Sequence, residues 1–485
     1  MAKSGELRVA VIGAGPAGIG AGHELLRQGV TNFTIFEKQD AAGGTWRWNR
    51  YPGLACDVWA HSYTYSYRLN PHWSANFVPR IEIERYLQDC FKEFGLQPHC
   101  RFNTNVTSVE FQSDKTWKLS TEAGEEFVFD AVINAMGGQH TPIYPDVPGM
   151  DKFEGDQWHS THWNHDVAYA NKRIVVVGSA AAAVQIVPRL ADHDCTLTVL
   201  QRTPNWIMPR NWKPYSLTYR HRLKQFPFLI RLLRFGQGLL MGTVHEGVTL
   251  GHKRMEQYEA RALNFINESF PDETIRDAVT PKTSYGCKRG LVSDEFYPAL
   301  NQPHVELVPE GLVEVRPHSI VTESGREIEA DIIVYCTGYS VMDFDRINVV
   351  GLGGRTLSDV MHEAPHAYVG IAAPEFPNYF FATGPNGLPI NVSYFWSVER
   401  NLETIVDLLK ASQQKGLGAI AVKEEVARAY NEKLLPRFEK YSWGNASCNS
   451  YYRTPEGHTP FLFPGPYKEY EKLHKQCSLD DFQAV

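Results

Sequence analysis

A chain of 485 residues exceeds one ordinary hydrophobic core, and its length corresponds to roughly two to four domains. With 43% hydrophobic and 21% charged residues it has the make-up of a soluble globular protein, without low-complexity tracts. A net charge of -7 supplies no overall basic field, which argues against nucleic acid and anionic membrane surfaces as partners. No stretch reads as a signal peptide or an integral membrane span. The cysteines at 56, 90, 100, 195, 287, 336, 448 and 477 are irregularly spaced and include no C-x-x-C pair. They read as free thiols of a cytoplasmic protein, with neither a metal cage nor a redox disulfide.

In chain order, residues 8–12 (RVAVI) predict a strand. The turn Gly13-Ala-Gly15-Pro-Ala-Gly18, a helix, and a second strand at 33–36 ending at Glu37 follow. This is the mononucleotide-binding half of a doubly wound sheet. Gly13 permits the tight turn, Gly15 lets the backbone approach a pyrophosphate, and Gly18 allows close helix–strand packing. Glu37 is placed to accept hydrogen bonds from a ribose hydroxyl. Next, the turn formers Gly43-Gly44 and Pro52-Gly53 bracket Trp46, Trp48 and Tyr51. These aromatics, with Trp59, read either as a wall for a planar ring or as ordinary core residues. Residues 101–133 are β-rich and punctuated by turns.

Residues 173–178 (RIVVVG) open a second unit, with Gly178-Ser179-Ala180-Ala-Ala-Ala183, a helix, a strand at 196–200 and then Gln201-Arg202-Thr203. Ala183 suits the third position of the glycine motif. Ala180 departs from it, because its Cβ points where a pyrophosphate comes close. Arg202 stands where an acid would indicate NAD, and a fixed cation there suits the 2′-phosphate of NADPH. The competing reading is a degenerate, empty unit. Residues 215–275 predict helices. The most apolar, 227–241, reads as a packed helix with Arg231 and Arg234 snorkelling to water, against the alternatives of a substrate lining or a membrane-surface contact. Strands follow at 305–308, 331–334 and 378–383, and a helix at 396–409.

The expected fold class is therefore α/β: two Rossmann-like dinucleotide-binding domains, the second inserted in the first and carrying a helical insertion at about 212–280. The expected division is 1–150 and 341–485 for the first domain and 151–340 for the second.

Two long spaced patterns narrow the reading. Phe153, Gly155, His159 and Trp163 match F-x-G-x-x-x-H-x-x-x-W at every defined position. Gly43-Gly44-Thr-Trp46, Tyr51-Pro52-Gly53 and Asp57 match [AG]-G-x-W-x4-[FY]-P-[GM]-x3-D. With Asn134-Ala-Met-Gly137, Cys336-Thr-Gly338, Cys287-Lys-Arg289 and Phe381-Ala-Thr-Gly384-Pro-Asn386-Gly387, the chain resembles the flavin-containing monooxygenase superfamily. Trp163 points to its type I Baeyer–Villiger branch, since relatives that oxygenate nitrogen and sulfur usually carry Tyr or Phe there.

The resemblance implies FAD in the first unit and NADPH in the second. The implied reaction consumes O2, runs through a C4a-peroxyflavin, and inserts oxygen beside the carbonyl of a small hydrophobic ketone to give an ester or lactone. Arg289 is the expected cation at the flavin, oriented by Asp57. Gly44, Trp46, Asn386 and the linker residue His159 are expected near the cofactors, His159 in either a structural or a catalytic role. Ser179, Arg202, Thr203 and Lys288 are expected at the NADPH. Without acidic or cysteine partners, His162 and His165 make no metal site. Two other functions compete: oxygenation of nitrogen or sulfur, which needs no arginine, and a flavoprotein with impaired NADPH turnover, suggested by Ala180.

Overall fold

The computed structural model describes residues 6–454 and 456–485. Its frame is two five-stranded, wholly parallel sheets. The first orders Tyr379–Phe381, Ala131–Asn134, Val9–Ile12, Phe33–Phe36 and Cys100–Arg101. The second orders Val305–Val308, Thr196–Leu200, Arg173–Val177, Ile332–Tyr335 and Asp156–His159. Parallel strands covered on both faces are continuous apolar runs, as in VAVI at Val9–Ile12 and IIVY at Ile332–Tyr335, every residue of which is buried. The edge strand Tyr379–Phe381 joins the first sheet only after the chain has completed the second. The second sheet is thus an excursion from the first.

The two nucleotide-type turns are built alike. Gly13 has φ 104° and Gly178 has φ 105°. A Cβ on Gly13 would meet the Ala135 carbonyl at 2.7 Å, and one on Gly178 would meet the Cys336 carbonyl at the same distance. The Ala135 and Cys336 stretches each follow the neighbouring strand and pass directly beneath the turn. Both the backbone angle and the close approach therefore require glycine.

Outside these frames, a four-stranded sheet (Asn348–Val350, Val106–Phe111, Trp117–Thr121, Glu126–Phe129) packs on the first sheet, and a three-stranded meander (Leu312–Arg316, Ser319–Thr322, Glu327–Glu329) packs on the second. Four helices, Leu217–Gln225, Phe228–Gly247, Lys253–Ser269 and Glu273–Val279, intervene before the second sheet is completed. Among the described residues, no helix is long and apolar enough to cross a membrane.

Two expectations are corrected here. Cys287 and Cys448, 161 residues apart, form a disulfide, and the other six cysteines are free. Irregular spacing hid the pair because a long-range bridge depends on how distant loops meet. The bridge also removes the cysteine-based argument for a reducing compartment. Arg234 does not snorkel: it is buried and donates to the carbonyls of His61 and Thr64 and to Thr64 Oγ1. This fastens the helix Phe228–Gly247 to the first domain's loop, while Arg231 faces water.

Candidate active site

The two sheets present their glycine turns to one continuous cleft of about 2090 Å³. That is roughly twice the volume of a large single-ligand site, ~1000 Å³, and accommodates two extended dinucleotides. Gly13, Gly15, Glu37, Gly44, Trp46, Asp57, Gly178, Ser179, Ala180, Arg202, Thr203, Lys288 and Arg289 all line it, as do Trp48, Tyr51 and Trp59.

On the first side, Gly15 and Gly44 pack face to face: a Cβ on Gly44 would lie 2.7 Å from the Gly15 Cα. The second fingerprint thus begins where it touches the first turn. The buried Glu37 accepts from Ala14 N at 2.7 Å and Gln39 N at 2.9 Å, which fixes its carboxylate at the cleft. Trp46 donates through Nε1 to the Tyr63 hydroxyl at 3.1 Å. Gly18 lies outside the cleft and serves packing, since a Cβ there would collide with the Gly13 carbonyl at 1.8 Å.

On the second side, Ala183 is fully buried and serves the same packing purpose. Ala180 is exposed and lines the cleft. In the first turn a Cβ on Gly15 would press on the Gly44 Cα at 3.3 Å, a tight contact. Lys288 lies beside Arg202, and its pKa is pushed down by burial first and by the Arg202 charge second. Two cations held this close are a fitting receptor for a phosphate group.

Between the two sides, Arg289 Nε and Nη2 donate to the two carboxylate oxygens of Asp57, each at 2.8 Å. The Asp57 charge raises the guanidinium's pKa further, so it stays cationic at every working pH. The Arg289 side chain is 46% exposed and lines the cleft, so it remains open to a ligand there. Tyr451 and Tyr452 act on its charge from the C-terminal segment, which the Cys287–Cys448 bridge ties to this loop.

Two expected residues, Asn386 and His159, have other positions, and Trp163, the branch marker, lies in a core. Asn386 does not face the cleft; its Nδ2 donates to the carbonyls of Thr459 and Leu462, clamping that loop. Its backbone is left-handed, with φ 54°. His159 is buried, and its Nδ1 accepts from Thr161 N. Burial lowers its pKa to about 4, so the ring is neutral near pH 7. Trp163 packs edge-on against Trp158 in the core of the second domain.

Asn49, which the sequence reasoning passed over, joins these stretches. Its Oδ1 accepts from Thr161 Oγ1 and from the Tyr339 hydroxyl. Asn49 and Thr161 occupy undefined positions inside the two fingerprints, so the patterns themselves carried no signal for them. Gln185, outside both fingerprints, was passed over as well and is bonded to the Tyr51 hydroxyl and the Ala55 carbonyl. Through it the helix Ala181–Ala191 grips the loop that carries Asp57.

Two Rossmann-type sheets opening on a shared cleft, with a fixed cation between them, define a two-dinucleotide oxidoreductase. The chain belongs to the flavin-binding monooxygenase-like family, whose model matches residues 6–349. It is 36% identical to a Baeyer–Villiger monooxygenase of Pseudomonas aeruginosa over 483 residues, spanning 99% of this chain and 91% of that one. A Baeyer–Villiger monooxygenase of Streptomyces coelicolor is 35% identical, spanning 99% and 93%. In structure the chain is similar to cyclohexanone monooxygenase from Rhodococcus sp. Phi1 bound to NADP+, with a TM-score of 0.88, 26% identity and 99% of each chain covered.

Proposed function

We propose that this chain is a Baeyer–Villiger monooxygenase that uses FAD, NADPH and O2 to convert a hydrophobic ketone into an ester or lactone. The observation that carries the reading is the Arg289–Asp57 pair inside a cleft bordered by both nucleotide turns. FAD, reduced by NADPH, supplies the activated oxygen for such a reaction.

The chain's own residues meet the remaining requirements. Gly13, Gly15 and the N-terminus of the helix Pro16–Arg27 receive the pyrophosphate of FAD, and Glu37 accepts from its ribose. Gly178, Ser179, Ala180 and Thr203 border the NADPH, whose 2′-phosphate falls to Arg202 and Lys288. Arg289 stabilises negative charge as it develops on oxygen and cannot quench that charge by yielding a proton, as a lysine could. Asp57 orients the guanidinium through the two-point pair. Asn49, Thr161, Tyr339 and His159 hold the linker between the domains in place beside the cleft.

The test is product analysis. Purified protein supplied with FAD, NADPH and air should convert members of a cyclic-ketone panel to lactones with one atom of oxygen from labelled O2. Oxidation of thioethers at an equal rate in wild type and Arg289→Ala, with no lactone formed, would overturn the reading.

A further inference from the structure

The helix Phe228–Gly247 has two unlike faces. Its inner face is fixed to the first domain by Arg234 and by Gln237, which accepts from Ser62 Oγ at 2.7 Å. On its outer face Phe228 is 56% exposed, Leu232 60%, Phe235 65% and Leu239 61%. At ~100° per residue these four side chains fall within an arc of about 60°. Phe226, in the preceding turn, is 44% exposed with its ring 6.3 Å from that of Phe228 and extends the same surface. Scattered apolar side chains on a surface are ordinary, but a continuous stripe of this kind marks an interaction site.

Charge distinguishes the partner. From 211 to 245 the sequence contains no acidic residue, whereas Arg220, Arg222, Lys224 and Arg231 flank the stripe. Arg222, Lys224 and Arg231 are exposed, and among the described residues none of the four pairs with a carboxylate. The chain's net charge of -7 therefore masks a local basic rim. An apolar face bordered by unpaired cations is complementary to a bilayer with anionic headgroups. A second copy of this chain would bring an equally acid-free face and nothing to pair with the cations. The helix cannot span a bilayer, so it would lie along the surface.

We infer that the segment 217–240 docks the protein on an anionic membrane surface, with Phe228, Leu232, Phe235 and Leu239 inserted among the acyl chains and Arg222, Lys224 and Arg231 at the phosphates. The same helix continues into Leu240, Met241 and Val244, which line the cleft. These three lie on the other side of the helix from the stripe, so the docked helix is also part of the cleft wall. The docking itself does not depend on the chemistry proposed for the cleft.

The experiment is flotation of the purified full chain with phosphatidylcholine vesicles, with and without about one-third phosphatidylglycerol. Wild type should float with the anionic vesicles at low salt and be released as salt is raised. The triple variant Phe228→Ser, Leu232→Ser, Phe235→Ser should lose at least about a hundredfold in partitioning. Charge reversal by Arg222→Glu, Lys224→Glu and Arg231→Glu should abolish the preference for anionic vesicles. Turnover of a water-soluble ketone, or NADPH oxidation where no ketone is turned over, should be unchanged in both variants. Failure of wild type to float with anionic vesicles at low salt overturns the proposal. So does a wild-type dimer that the triple variant converts to monomer in sedimentation velocity without a change in flotation.

Discussion

Arg289 and Asp57 lie 232 residues apart in the chain and meet through two parallel hydrogen bonds of 2.8 Å inside the cleft. The fork geometry fixes both the position and the plane of the guanidinium, so charge and direction are lost together when either partner is removed. Arg289→Ala should lower ester formation by at least about a hundredfold, the usual loss for a preorganised charge-stabilising group. Flavin reduction by NADPH should remain measurable in the absence of oxygen. Arg289→Lys, which keeps a charge but loses the fork, should fall between the two. Ester formation at an undiminished rate in Arg289→Ala removes the residue from the reaction.

Arg202 should decide between the two pyridine nucleotides. Loss of a charge-assisted contact worth about 1.5–3 kcal/mol raises the KM for NADPH roughly 10- to 100-fold. Arg202→Ala should therefore show that rise while its KM for NADH stays near the wild-type value. Equal changes for both nucleotides would mean that Arg202 does not meet the 2′-phosphate.

The pH dependence of NADPH binding follows from Lys288. Burial and the neighbouring Arg202 depress its pKa, so it loses its charge at lower pH than an ordinary lysine. Its attraction for phosphate is complete below that depressed pKa and disappears as pH rises through it. KM for NADPH should therefore climb toward the alkaline end. In Lys288→Arg, which stays protonated, this climb should be absent. Superimposable profiles for the two proteins would exclude Lys288 from the phosphate site.

Ala180 bears on how tightly NADPH is held. It is exposed and lines the cleft. Ala180→Gly should leave thermal stability within about 1 kcal/mol of wild type, since Ala180 is the N-cap of its helix, where glycine is at least as well accepted as alanine. If the backbone approaches the pyrophosphate there, the same change lowers the KM for NADPH by a few-fold. A higher KM would show that the methyl is part of the fit.

The Cys287–Cys448 bridge stabilises the C-terminal segment beside Arg289. Cys448→Ser should cost about 2–5 kcal/mol of stability, seen as a lower unfolding midpoint than that of the non-reduced wild type. Treatment of wild type with a reductant should reproduce the shift. Eight alkylatable thiols in the unreduced, denatured protein would show that the bridge is not formed.

Much of the site was legible because the rules that specify it are local. Gly13 and Gly178 stand where positive φ and a carbonyl at 2.7 Å exclude any side chain, and the strand–glycine–helix order exposes such positions. The Asn386 amide turns to the 459–462 loop, a direction not legible in a motif, which conveys which residue occupies a turn but not which way its amide faces. Asn49, at a position its fingerprint leaves free, and Gln185, outside both fingerprints, escaped because each acts through partners distant in sequence.

The sequence by itself determined the two parallel sheets, their nucleotide turns and the family fingerprints, since continuous apolar runs and obligatory glycines report local backbone geometry and burial. That Arg289 meets Asp57, that Cys287 meets Cys448, that Ala180 lines the cleft, and that one apolar face of Phe228–Gly247 is left uncovered emerge from the folded arrangement alone. Helical periodicity places apolar residues on a face. What covers that face depends on contacts between segments hundreds of positions apart, which no local pattern encodes.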